Sequence, residues 1–464
     1  MVARTERLGA ACATLVLVGL TGLVGLTGLA GCGDDDDAAR ADAGVDASTA
    51  DVAIDPADAS AGASIAVTTR APAVTDAPGA ATSATWAAYR DGDDGDFVAL
   101  PPSAPGTYAF TVKRERWAIL LVCATDDDAS AAVFVHRRTI ATRAIDVALE
   151  GGCAPRPTPG QLTLAGNVVN APPSTTWLEF GYARDTRGAV LPSSGATTPY
   201  EIVNVVPGTW DLAFGLRDEP FAPLTTMILR RGVTITADVT ADLDATGPQS
   251  FAPGTRALTV RGLATNELLA PVVLYATGGL HGIDVGPQDA PATRPDVVTS
   301  YATVPAASAI PTDRYRATLT ATAGDDATRV VSLAIHDAID VDVTLPPSIA
   351  PPASVVVAAT PYVRLATRAT ALAGAAIHEL RAVTKRGGRR EHSWTVTFDA
   401  SVVGASVEID DTTPDLGSVP GWKSAWGMSS GDDVEITATA REPAKPFGDG
   451  AIERATSRTI FVPP

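Results

Sequence analysis

Pro105-Gly106-Thr107-Tyr108-Ala109-Phe110-Thr111-Val112 combines a turn with a strand pattern. Proline and glycine favour the turn, and the residues after them alternate between apolar and polar side chains, as in a half-buried strand. Pro207-Gly208-Thr209-Trp210 repeats the motif 102 positions later, and Pro311-Thr312-Asp313-Arg314-Tyr315 repeats it more weakly after a further 104. This spacing indicates a repeated β-sandwich unit of about 100 residues.

The repeats also share their final segment and are separated by clusters of proline and glycine. The final segments are Ala144 to Leu149, Ala237 to Leu243 and Ala338 to Val343, and proline-rich junctions follow each of them. We therefore predict an all-β protein of tandem β-sandwich domains. The predicted domains are 63–153, 160–246, 255–346 and 353–464.

The second predicted domain carries a family resemblance. Leu162-Thr163-Leu164-Ala165-Gly166-Asn167-Val168-Val169 reads as an entry strand, and Val205-Val206-Pro207-Gly208-Thr209-Trp210-Asp211-Leu212 as a turn followed by a strand. This part of the chain resembles the carboxypeptidase-regulatory-like, transthyretin-like sandwiches of bacterial envelope proteins, which share an Ig-like architecture. The resemblance implies an accessory module, and no catalytic residue is carried over from it.

The fourth domain is the least regular, and residues 363–383 allow two interpretations. Leu365, Leu372 and Leu380 lie on one side of an amphipathic helix. Alternatively, Gly387-Gly388 forms a two-residue hairpin turn between strands, and we favour this hairpin.

The N-terminus has the pattern of a targeting segment. Arg4 and Arg7 precede a long apolar run that ends in Leu29-Ala30-Gly31-Cys32. This segment resembles the signal and lipobox of bacterial lipoproteins, which implies a cleaved signal over 1–31 and lipid on Cys32. Because acyl chains anchor a protein without crossing the bilayer, we expect a membrane-anchored chain. Gly33 favours the outer membrane by analogy with lipoprotein sorting; the alternative is a plain secreted protein.

Residues 32–62 are predicted to be a disordered acidic tether. Between Gly33 and Ser60 there are nine aspartates and one arginine, with few large apolar residues to build a core. The formal charge of the whole chain is −18, which argues against nucleic acid as a partner. With lipid at one end, this layout predicts an extended molecule in which the fourth domain lies farthest along the chain, and we expect any recognition to occur there.

Two of the four cysteines remain after the signal and the lipid site are set aside. Cys12 belongs to the signal and Cys32 to the lipobox, which leaves Cys123 and Cys153. An even pair in an oxidising compartment predicts a disulfide.

Two loops of the fourth domain are candidate binding sites. Trp422 and Trp426, with Lys423 between them, could stack against sugar rings; alternatively the tryptophans close the end of the sandwich. Like charges face each other across the expected hairpin, where an anionic envelope partner would relieve their repulsion, although an exposed turn in water also tolerates them. These hairpin residues are Lys385, Arg386, Arg389 and Arg390.

No pattern predicts a metal, a cofactor or catalysis. Asp91-Gly92-Asp93-Asp94-Gly95-Asp96 is dense in carboxylates, but it lacks the terminal glutamate of a calcium loop and reads as an acidic turn. The histidines belong to no zinc-binding motif, and no nucleophile elbow or phosphate loop is present. The scattered histidines are His136, His281, His336, His378 and His392.

We therefore expect a lipid-anchored envelope protein with a binding, adhesion or structural role, whose partner is an envelope polysaccharide or protein. One alternative is a glycan-directed hydrolase with two loop-borne carboxylates beside Trp422 or Trp426. The other is a passive spacer that binds nothing.

Overall fold

The described part of the chain is all-β, as the sequence predicts. In this computed structural model, each of the four predicted domains, here called modules 1 to 4, contains strands. Cys32 and nearly all of the tether lie outside the described residues. No described helix has the length and apolar character that a membrane crossing requires. The described residues are 62–72, 79–153, 162–182, 185–191, 197–220, 222–279, 281–286, 295–324, 327–386, 389–430, 433–442 and 451–462.

The strands of each module are consecutive in the chain. Module 1 contains β1 (Ala63–Arg70), β2 (Trp86–Asp91), β3 (Val98–Ala99), β4 (Thr107–Val112), β5 (Arg116–Ala124), β6 (Ala131–Thr139) and β7 (Ala144–Ala148). Module 2 contains β8 (Leu162–Val169), β9 (Trp177–Tyr182), β10 (Asp185–Val190), β11 (Thr197–Val205), β12 (Gly208–Arg217), β13 (Thr226–Ile235), β14 (Val239–Thr240) and β15 (Leu243–Asp244), followed by β16 (Ser250–Phe251). Module 3 contains β17 (Gly254–Arg261), β18 (Glu267–Thr277), β19 (Gly282–Asp284), β20 (Asp296–Thr303), β21 (Asp313–Ala323), β22 (Ala327–Ile335) and β23 (Val341–Thr344). Module 4 contains β24 (Ala353–Ala358), β25 (Arg364–Thr370), β26 (Ile377–Arg386), β27 (Arg389–Asp399), the helix α1 (Ala400–Val403), β28 (Glu408–Thr412), β29 (Val434–Arg441) and β30 (Ala451–Val462).

Modules 1 to 3 share one arrangement of seven strands in two facing sheets. In module 1 the small sheet has the order β4-β1-β7, and the facing strands have the order β3-β2-β5-β6. Module 2 repeats this as β11-β8-β14 and β10-β9-β12-β13, and module 3 as β20-β17-β23 and β19-β18-β21-β22. The seventh strand pairs in parallel with the first in each module. The similar final segments of the sequence therefore occupy equivalent positions.

The turn motif is equivalent in modules 2 and 3 but not in module 1. Trp210 lies in β12 and Tyr315 in β21, each the fifth strand of its module, whereas Tyr108 lies in β4, the fourth strand. In module 1 the start of the fifth strand holds Trp117 instead. Proline and glycine favour tight turns wherever they occur, so the motif does not identify one particular turn of the fold. The interval of 102 positions therefore separates the fourth strand of module 1 from the fifth strand of module 2.

Module 4 has a different strand order, with β24-β25-β28 facing β27-β26-β29-β30. Residues 363–383 do not form a helix; they form β25, a turn and the first part of β26. Burial in β25 follows a period of two, with Leu365 and Ala369 buried and Arg368 exposed. The favoured hairpin interpretation is confirmed, because β26 pairs directly with β27.

Modules 1, 4 and 3 are joined by one continuous sheet. Its twelve strands have the order β3-β2-β5-β6-β27-β26-β29-β30-β22-β21-β18-β19. β6 pairs in parallel with β27 from Ala131↔His392 to Arg137↔Phe398, and β22 pairs antiparallel with β30. Module 4 is the last domain along the chain, yet in the sheet it lies beside module 1. A repeat pattern sets the order of domains along the chain but does not determine which strand edges meet.

β5 belongs to two hydrophobic cores. Ile119 and Leu121 pack inside module 1, while Leu120 and Val122 pack against module 4 residues such as Val396. Every residue of β5 except Arg116 is buried. A strand covered on both faces has no polar side to show, which explains the unbroken apolar run in this part of the sequence.

Cys123 and Cys153 form the predicted disulfide, with their Cα atoms 4.9 Å apart. Cys153 ends the 3₁₀ turn Gly151–Cys153, immediately before the linker to module 2. The bond therefore ties the end of module 1 to β5.

Candidate functional site

The predicted sugar-stacking residues lie in an aromatic cluster at the joint between modules 1 and 4. Trp422 and Trp426 belong to the loop between β28 and β29, and their ring centroids are 5.7 Å apart. Trp86 of module 1 lies 5.6 Å from Trp422 and 6.1 Å from Trp426. Tyr362 and Trp394 pack against Trp422 from inside module 4. The cluster therefore joins two modules through aromatic contacts.

Asp128 holds this loop from the turn between β5 and β6. One carboxylate oxygen accepts a hydrogen bond from Trp426 Nε1 at 2.6 Å, and the other accepts one from Lys423 Nζ at 2.7 Å. Lys423 also lies over the Trp426 ring, 5.2 Å from its centroid. Both hydrogen bonds lower the pKa of Asp128, and the bond from Lys423 has the larger effect. All three groups are thus engaged within the protein.

This geometry favours the packing interpretation of the tryptophan loop. Trp426 is only 3% exposed, so its ring has no face open for a sugar, whereas Trp422 is partly exposed. Asp128 is hydrogen-bonded to Lys423 and Trp426 through both of its carboxylate oxygens. The contacts therefore lend no support to a carboxylate pair beside the tryptophans.

Polar contacts extend the joint along β6. Arg137 forms an ion pair with Asp411 and lies over the ring of Phe398, 5.5 Å from its centroid. Arg138 lies 3.7 Å from the carboxylate of Asp399. Because these charges are largely buried and paired across the joint, separating the modules would leave them without partners.

The acidic turn 91–96 makes hydrogen bonds and ion pairs with neighbouring groups. Asp91 accepts hydrogen bonds from the backbone amides of Lys113 and Arg114 at 3.0 and 2.9 Å. Asp93 pairs with Arg116 at 3.0 Å, and Asp94 pairs with Arg114. Within the described ranges, no three His, Cys, Asp or Glu residues are grouped so that they could hold a metal.

The basic hairpin has the register that the sequence predicts. Arg386 lies opposite Arg389, and Lys385 opposite Arg390, with a register shift next to Thr384. Gly387 and Gly388 lie outside the described residues. The anion-binding hypothesis for these four residues stays a prediction.

The twelve-stranded sheet has a polar face in module 4 that sequence reasoning missed. β29 alternates strictly, with Val434, Ile436, Ala438 and Ala440 buried and the intervening side chains partly exposed. The small sheet of module 4 packs on the buried side. We call the other side the hydroxyl face, and it comprises Glu379, Arg381, Thr395, Thr397, Thr437, Thr439, Ser457 and Thr459. The signal in the sequence is a pair of threonines two positions apart in each of β27 and β29.

Arg381 lies near the centre of this face, between Thr395 of β27 and Thr437 of β29. It makes no ion pair or hydrogen bond with its side chain among the described residues, and its Nε is shielded from solvent. Its neighbour Glu379 is paired with Arg441 at 3.4 Å. Shielded donors without a partner are uncommon in proteins, so Arg381 is a candidate binding residue.

No protein-family model matches this chain, and comparison with curated proteins finds no match.

Proposed function

We propose that this protein is a lipid-anchored component of the bacterial cell envelope, whose modules form a rigid, non-catalytic platform with a binding or structural role. The observation that carries the proposal is the twelve-stranded sheet shared by modules 1, 3 and 4. Shared strands restrict movement between domains far more than linkers do. A rigid sheet of this kind can hold a binding surface in a fixed position.

The anchoring part of the proposal rests on the sequence. Cys32 follows the apolar run in a lipobox-like context, and the acidic tether leads from there to β1. The outer membrane is the proposed location, and an envelope polysaccharide or protein the proposed partner. The resemblance of module 2 to accessory envelope modules agrees with a role without catalysis.

Cell fractionation tests the anchor. We expect the full chain, expressed in a bacterium that processes lipoproteins, to be found in the membrane fraction, and Cys32→Ser in the soluble fraction. Cys12→Ser is the matched control, because that cysteine lies inside the proposed signal and should not affect anchoring. A Cys32→Ser variant that stays in the membrane fraction contradicts the proposal.

A further inference from the structure

The hydroxyl face is regular, and its side chains are partly exposed except for Thr397, which is buried. Two rows of side chains cross four neighbouring strands: Thr397–Glu379–Thr439–Ser457 and Thr395–Arg381–Thr437–Thr459. With strands about 4.8 Å apart, each row is about 14 Å long. The hydroxyls of Thr437 and Thr459 are 2.9 Å apart, so the second row already contains a hydrogen bond between strands.

The face is bounded on one side by module 1. The small sheet β4-β1-β7 covers the same side of the large sheet over β5 and β6, where Ile119 and Phe134 pack beneath it. Phe134 lies beside Thr395, and His136 beside Thr397. The small sheet of module 1 therefore forms a raised border along one side of the hydroxyl face, and such a shape can align an extended chain.

The side chains of the hydroxyl face indicate which class of ligand it can bind. Rows of hydroxyls can exchange hydrogen bonds with a polyhydroxylated ligand. Arg381 adds a fork of donors that matches a carboxylate, while the nearby Glu379 is already engaged by Arg441. Protein partners are usually held by buried aromatic anchors, and none of the eight residues of the face is aromatic.

We propose that the hydroxyl face binds an acidic polysaccharide, with a carboxylate of the ligand on Arg381 and sugar hydroxyls on the flanking threonines. This inference rests on the proposed envelope function, since it names the partner of the platform. Failure of this inference can be distinguished from failure of the proposed function, because fractionation of Cys32→Ser tests the membrane anchor without any ligand.

The test is binding of sodium alginate, a polysaccharide of uronic acids, to the soluble chain 33–464, with neutral dextran as the comparison ligand. We expect alginate to bind and dextran to bind far more weakly. Arg381→Gln should weaken alginate binding about tenfold or more, because a charge-assisted hydrogen bond to the ligand is lost. Arg256→Gln is the matched control, since Arg256 is an exposed arginine on β17 in the small sheet of module 3.

A second variant guards against misfolding. Thr395→Val keeps the shape and β-propensity of the side chain and removes one hydroxyl that makes no hydrogen bond to another described residue, so we expect a smaller loss of alginate binding at unchanged thermal stability. Absence of alginate binding, equal binding of dextran, or equal weakening by Arg381→Gln and Arg256→Gln would each overturn the proposal.

Discussion

Asp128 joins two modules through a single carboxylate. Its backbone has a φ of +56°, which places it in the left-handed region at the turn between β5 and β6. From there it reaches both Lys423 and Trp426. A short polar side chain tolerates this backbone conformation better than most others, so the same residue shapes the turn and binds module 4.

Replacement of Asp128 should loosen the tryptophan loop. Asp128→Asn retains a residue that tolerates positive φ but removes the charge that pairs with Lys423. We expect a lower denaturant midpoint and a red shift in tryptophan fluorescence as the cluster becomes more exposed. Asp126→Asn, at an exposed position of the same turn, is the matched control and should change neither reading.

His136 should make the protein sensitive to acid. Burial, followed by repulsion from Arg138, lowers the pKa of His136 to about 3, and neither ring nitrogen has a hydrogen-bond partner among the described residues. In the unfolded chain the imidazole binds a proton below about pH 6.5. As the pH falls, the imidazole therefore binds its proton in the unfolded state before it does so in the native state. The free energy of unfolding then decreases by up to about 1.4 kcal/mol per pH unit between pH 6.5 and pH 3.

This effect can be isolated with His136→Leu, which cannot titrate. We expect the fall in melting temperature between pH 7 and pH 4.5 to be smaller in the variant than in the unchanged protein. An identical fall in both proteins would show that His136 is not the source of the acid sensitivity.

At the scale of strands, local patterns predict much of the structure. The alternation at Tyr108 to Val112 and the Gly387-Gly388 turn were sufficient to predict β4 and the hairpin of β26 and β27. The pairing of β6 with β27 was not predictable in this way, because its two sides lie more than 250 positions apart in the sequence. The one signal in the sequence for contact between these modules was the unbroken apolar run of β5, because a strand with such a run is covered on both faces.

Modules 2 and 3 meet where glycines allow two strands to approach closely. A Cβ added to Gly181 in β9 would lie 2.4 Å from the carbonyl carbon of Gly282 in β19. Beside this crossing, Glu179 accepts a hydrogen bond from the backbone amide of Asp284 and pairs with Arg217 at 3.1 Å. A side chain at position 181 would have to push these backbones apart.

Gly181→Ala should therefore weaken the contact between modules 2 and 3. We expect a loss of about 1 to 3 kcal/mol, as for other overpacked positions, measured by chemical denaturation. Gly324→Ala is the control, since a Cβ there would meet nothing within 4 Å. Equal stability of the two variants would argue against a tight crossing.

At the scale of the whole molecule, the order of modules in space differs from their order along the chain. Module 4 completes the large sheet between modules 1 and 3, so it supplies paired edges for both β6 and β22. Deletion of residues 347–464 would expose two strand edges and the module 4 side of β5. Such exposed edges promote aggregation, so single substitutions are better probes of function than truncation.

Hydrogen exchange tests the continuous sheet most directly, because alternate amides of an edge strand are open to water whereas those of an internal strand are bonded. In the soluble chain 33–464, we expect the amides of β6, β22, β27 and β30 to exchange as slowly as those of β5 and β21. If every second amide of β6 and β27 exchanges as fast as loop amides do, modules 1 and 4 are separate and the shared sheet is contradicted.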